Sequence, residues 1–93
     1  MENRAKTSAE VFEQARKTQA DFLVIDLETA LTLVERARTA MTPEVRERNR
    51  RNARRAYDTI VRLLAKATVT EPQLSEIDAR LKRLRSELQS MGE

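Results

Sequence analysis

The chain has 93 residues, with 18 Lys plus Arg against 15 Asp plus Glu and a formal net charge of +3. That length makes one small domain rather than two. With no His and no Cys, the usual zinc, haem and non-haem iron sites, disulfides, and the Ser–His and Cys–His nucleophilic pairs are all excluded.

Gly and Pro punctuate a chain most strongly, and only one Gly and two Pro are present. Pro43 and Pro72 cut the sequence into three pieces, each rich in the helix formers Ala, Leu, Glu, Arg and Lys. No alternating β pattern is seen. Residues 1–6 are expected to form a disordered N-terminal tail, and residues 7–93 a single three-helix domain.

The first helix is expected over about 8–40. Thr7-Ser8-Ala9-Glu10 fits a capping box, in which Glu10 reaches back to the cap amide. Phe22, Leu23, Leu27, Ala30, Leu31, Leu33, Val34 and Ala37 cover more than half of its circumference, a width that suits contact with two neighbours. The second helix is expected over 43–66. Thr42 caps it, Pro43 occupies the first turn where no N–H is needed, and Glu44 complements the positive helix end. Its apolar positions are Val45, Ala53, Ala56, Tyr57, Ile60, Leu63 and Leu64. The third is expected over 71–91, opened by the capping box Thr70-Glu71-Pro72-Gln73 and stopped by Gly92. Leu74, Ile77, Leu81, Leu84, Leu88 and Met91 give it the alternating three- and four-residue spacing of a narrow packed seam. Both connections are short, so consecutive helices should be antiparallel. The expected architecture is all-α, an antiparallel up-down-up three-helix bundle with a long first helix.

Length is where the pieces do not match. Pairing across the turn near Thr42 sets residue 20 opposite about residue 64, so residues 8–18 extend past the second helix. Val11, Phe12 and Ala15 lie together on that extension. Either the helix breaks near residues 17–21, or it continues and these residues are covered by another chain. They are the candidate partner interface.

The segment from Pro43 to Lys66 holds eight positive and three negative charges. Arg48, Arg51, Arg54 and Arg55 are the candidate basic surface for nucleic acid or an acidic protein. A solvated face laced by the pairs Glu44–Arg48, Glu47–Arg51 and Asp58–Arg62 accounts for the same residues. No aromatic stands among these Arg for base stacking. Three polar residues have structural readings. Asp26 falls in the apolar sector of the first helix, and an unpaired buried carboxylate is costly, so Tyr57, Arg54 or Arg55 should reach it. Asn49 lies near the centre of the second helix's stripe, as a register device or a polar contact at a partner interface. Tyr57 should bury its ring and keep its hydroxyl at the edge.

Two passages carry a resemblance: Asp26-Leu27-Glu28-Thr29-Ala30-Leu31-Thr32-Leu33-Val34 and Asn49-Arg50-Arg51-Asn52-Ala53-Arg54-Arg55-Ala56-Tyr57-Asp58-Thr59-Ile60. The region 22–66 resembles short bacterial all-helical proteins and the antiparallel hairpins of tetratricopeptide repeats and microtubule-interacting-and-transport domains. In those hairpins, small residues at the crossing and an Ala-Tyr pair pack the two helices. The tetratricopeptide Trp-x-x-Leu-Gly signature and its inter-helix Gly are missing, and one hairpin makes no repeat array. The resemblance implies a binding module without catalytic residues, and no family site residue is carried over.

No membrane span is expected. The longest apolar run, Phe22-Leu23-Val24-Ile25, is bracketed by Asp21 and Asp26, and a span needs about 20 residues. Basic residues near Met1 have no apolar segment behind them, so no signal peptide is expected either. The sequence thus reads as a cytoplasmic, non-enzymatic interaction or scaffold protein with no catalytic, cofactor-binding or metal-binding residues. Its expected partner is a protein or a second copy of itself, with nucleic acid as the alternative and no membrane.

Overall fold

Three threonines open three helices. In the computed structural model, which describes residues 7–92, these are α1 (Ser8–Arg38), α2 (Pro43–Lys66) and α3 (Glu71–Ser90). The tail expected over residues 1–6 lies outside the described residues. Thr7 Oγ1 accepts the Glu10 N–H at 3.2 Å, and the Glu10 carboxylate accepts the Thr7 N–H at 3.3 Å. Thr70 and Gln73 repeat that reciprocal pair at 3.3 and 2.8 Å. Thr42 Oγ1 accepts the Val45 N–H at 3.2 Å, with Pro43 opening the helix. Each cap satisfies an amide that has no partner within its helix. No strand occurs among the described residues, and the molecule is an all-α three-helix bundle.

Side-chain contacts fix the directions. Residues Thr18, Gln19, Phe22 and Leu23 line a groove with Leu63, Lys66 and Ala67, whereas Ala37 and Arg38 adjoin Arg46, Glu47 and Arg50. α2 therefore runs antiparallel to α1. Arg38 joins Ser90 and Glu87 of α3, and Arg80 of α3 lies 3.8 Å from Glu28. α3 therefore runs parallel to α1. α1 packs on both neighbours, and α2 and α3 touch each other less.

α1 ends at Arg38, two residues before the expected boundary. The Thr39 hydroxyl donates back to the Glu35 carbonyl at 3.1 Å, and the Thr39 N–H bonds the same oxygen. The chain must then extend, because Thr42 caps the next helix at φ −127° and ψ 150° and the residue before a proline avoids helical geometry.

The core is narrow. α1 buries Ala20, Leu23, Leu27, Ala30, Val34 and Ala37, an alternating three- and four-residue seam, and Leu31 and Leu33 of the expected broad face pack half-buried beside it. α2 contributes Ala53 and Ile60, and α3 contributes Ile77, Leu84 and Leu88. Alanines at 30, 37 and 53 have no exposed surface, so the helices approach closely there. Phe22, counted in the broad face, is 56% exposed.

α1 is unbroken through residues 17–21. Its 31 residues span about 46 Å at 1.5 Å each, and its first buried residue is Ala20. Stepping back one heptad from Ala20 and Leu23 reaches Glu13 and Arg16, which form an ion pair with each other. The core seam turns polar at that level, and α2 and α3 stop near it. The result is elongated, 58 × 28 × 17 Å, with a radius of gyration of 16.8 Å. A compact chain of this length would have about 12 Å.

Candidate interaction surface

Four of the exposed large apolar side chains, Val11, Phe12, Phe22 and Ile25, lie on α1, while Met41 stands exposed in the turn at the other end of the bundle. Val11, Phe12 and Ala15, the interface candidates, are all exposed, Phe12 by 67%. Val11 and Ala15 belong to a longer pattern. Val11, Ala15, Thr18, Phe22, Ile25, Thr29 and Thr32 step along α1 by fours and threes, and every one of them is exposed. Successive residues turn by about 100°, which puts this row on the side of α1 away from the core seam. α1 therefore carries two heptad seams, one filled by its own bundle and one open.

The threonines make the open seam less polar than their residue type suggests. Thr18 Oγ1 donates to the Gln14 carbonyl at 2.9 Å, Thr29 to Ile25 at 3.0 Å, and Thr32 to Glu28 at 3.0 Å. With its proton bonded to its own helix, each hydroxyl can be covered without losing a donor bond. The methyl groups complete the apolar row. The seam's edges are Gln14, Asp21 and Glu28 on the α3 side, and Phe12, Gln19, Asp26 and Leu33 on the α2 side. Its only charged edge residues are acidic.

The α2 edge opens into a groove of about 300 Å³ between α1 and α2. Phe22, Leu23, Leu63 and Ala67 supply apolar walls, with Thr18, Gln19 and Lys66 at the rim. Leu63 is 39% exposed in this groove.

The basic candidates separate. Arg48, Arg51 and Arg55 face outward with Arg62, opposite Ala53 and Ile60. Arg54 turns toward the α3 side. It bonds Asp58 at 3.2 Å, and its guanidinium lies 5.7 Å from the Tyr57 ring centre, a cation–π distance. Glu47 bonds Arg50 and lies 3.9 Å from Arg51. The Arg50 hydrogen bond holds the Glu47 carboxyl below the usual carboxylate range against the opposing effect of desolvation, with the charges of Arg50 and then Arg51 adding to the lowering. The expected pairs Glu44–Arg48 and Asp58–Arg62 do not form. Asp58 goes to Arg54, and Arg62 instead donates to Thr59 Oγ1 at 3.5 Å.

Asp26 corrects an expectation. It is half-buried rather than buried, and none of Tyr57, Arg54 and Arg55 bonds it. It sits on the edge between the two seams, partly open to solvent. Asn49 and Tyr57 are likewise half-buried, and Tyr57 packs against the core. Among the described residues no three Asp or Glu side chains converge as a metal site, and no helix is long and apolar enough to cross a membrane.

No protein-family model matches the chain, and neither a curated protein nor a solved structure matches it at a significant level. The hairpin resemblance therefore carries no family assignment.

Proposed function

We propose that this chain is a small non-catalytic interaction or scaffold module that self-associates through α1. The observation that carries the reading is the open heptad seam of α1, which continues without a break from the bundle onto the projecting turns. A helix keeps a seven-residue apolar repeat over three heptads when another helix packs on it. The inventory of side chains fits a binding role, because neither His nor Cys is available for acid–base or nucleophilic work. A cytoplasmic location goes with a chain that lacks Cys.

Size-exclusion chromatography with light scattering tests the reading. The chain should show the mass of two copies at high micromolar concentration, and Phe12→Glu should return it to one. A single-copy mass throughout would remove self-association.

A second reading has its own observation. Arg48, Arg51, Arg55 and Arg62 form an outward row along α2, and such a row binds nucleic-acid phosphates by releasing counterions. Affinity falling steeply with salt would support it. No binding at ~50 mM salt, where phosphate contacts are strongest, would eliminate it.

A further inference from the structure

The open seam and the α1–α2 groove lie side by side, and Phe12 stands on the same edge of α1 as the groove. Within one molecule Phe12 cannot reach it. The groove begins at Thr18, about one and a half turns further along a continuous helix. A second copy running the other way brings the two together. We propose that two copies dock antiparallel along their projecting α1 turns, with Phe12 of each seated in the α1–α2 groove of the other. This rests on the self-association reading above.

The register follows from matching seam positions. With residues whose numbers sum to 33 placed opposite, Ser8 faces Ile25 of the second copy, Val11 faces Phe22, and Ala15 faces Thr18. Each contact puts a small side chain against a larger one, or two small ones together, which suits close packing. Overlap covers residues 8–25 of both chains, about 27 Å of helix. It uses the full projection of both copies.

Charge selects this arrangement among the alternatives. Antiparallel helices bring like edges together, so Gln14 meets Asp21 of the second copy. Glu28 and Asp26 fall beside the opening turn of the other α1, where negative charge is favourable. Sliding one copy by a heptad, to a sum of 40, places the two Asp21 side chains against each other. Running the helices parallel places Asp21 of each copy against Asp26 of the other, and like charges at these flanking positions disfavour pairing. Phe12 then lies between Gln19 and Leu23 of the second copy, at the mouth of a groove whose walls Phe22, Leu63 and Ala67 are apolar.

Cysteine cross-linking on the full chain tests this directly, because the chain has no Cys of its own. Ser8→Cys and Ile25→Cys both change exposed positions, and unchanged helical circular dichroism confirms folding. On oxidation, a mixture of the two variants should form covalent dimer at least tenfold more than either variant alone. Leu63→Glu, which fills the groove with charge, and Phe12→Glu should each weaken association at least tenfold. Cross-linking of either variant with itself would establish a parallel pair and overturn the docking mode. A dimeric mass with no cross-link in the mixture would place the contact elsewhere and also overturn it. In both cases self-association would stand. A monomeric mass for the unmodified chain would remove both.

Discussion

Arg38, in the last turn of α1, donates a hydrogen bond to Ser90 Oγ in the last turn of α3 at 2.9 Å and pairs with the Glu87 carboxylate. That contact levels the two helices at one end of the bundle. All of the excess length of α1 is thereby displaced to the other end, where the open seam begins. Arg38 is 41% exposed and Glu87 23% exposed in their side chains, so solvent screens much of the attraction. Arg38→Ala should cost about 0.5–1 kcal/mol in urea unfolding, with the fold retained.

The core seam is thinner than its position suggests and should be sensitive to volume in both directions. Leu27 has no exposed surface, and Leu27→Ala should destabilise the chain by about 2–5 kcal/mol through lost burial and the cavity left behind. Ala53 is equally enclosed. Ala53→Leu should cost about 1–3 kcal/mol, because α2 must move away from α1 to admit the larger side chain. Chemical denaturation of both variants measures these changes.

Glu47 gives a pH signature. Arg50 and Arg51 stabilise its charged form, so its folded-state pKa lies below the unfolded one. The contribution of the pair is fully present above the unfolded Glu value. It is lost as pH falls through the lowered folded value. Carbon-detected NMR titration should find the midpoint of Glu47 below that of the same residue in the unfolded chain. Arg50→Ala should move that midpoint up, toward the ordinary range.

What could be read from the residues was local. Thr7 and Thr70 sit three residues before Glu10 and Gln73, and the caps they form depend on nothing beyond one turn. Thr42-Pro43-Glu44 is equally self-contained. The excess length of α1 was legible from simple pairing across the turn near Thr42. The division of its apolar face was not. Phe22, Leu23, Leu27 and Leu33 are all apolar at helical spacing, and which of them is covered depends on where α2 and α3 land. Asp26 was misplaced for the same reason, because a helical wheel shows direction but not whether a neighbour stands there.

Thr18, Thr29 and Thr32 were missed as members of a second seam because threonine counts as polar in any apolar pattern. The seven-residue repeat shared by Val11, Thr18, Ile25 and Thr32 was the available signal. The hydroxyls' bonds to the carbonyls four residues back are what let these threonines serve as apolar positions. Ion-pair choice on α2 was also non-local in effect. Asp58 has Arg54 and Arg62 at equal sequence distance, and the Tyr57 ring beside Arg54 favours the first.

Amide hydrogen exchange at Phe12 and Ala15, followed against protein concentration, reads the location of self-association and its mass action together. No part of the chain's own bundle buries these turns, and an unpacked helix end frays readily. Exchange there should be fast in dilute solution and slow at least tenfold at high micromolar concentration, while exchange at Leu27 stays unchanged. Protection at Phe12 and Ala15 that is the same at every concentration would contradict docking through α1.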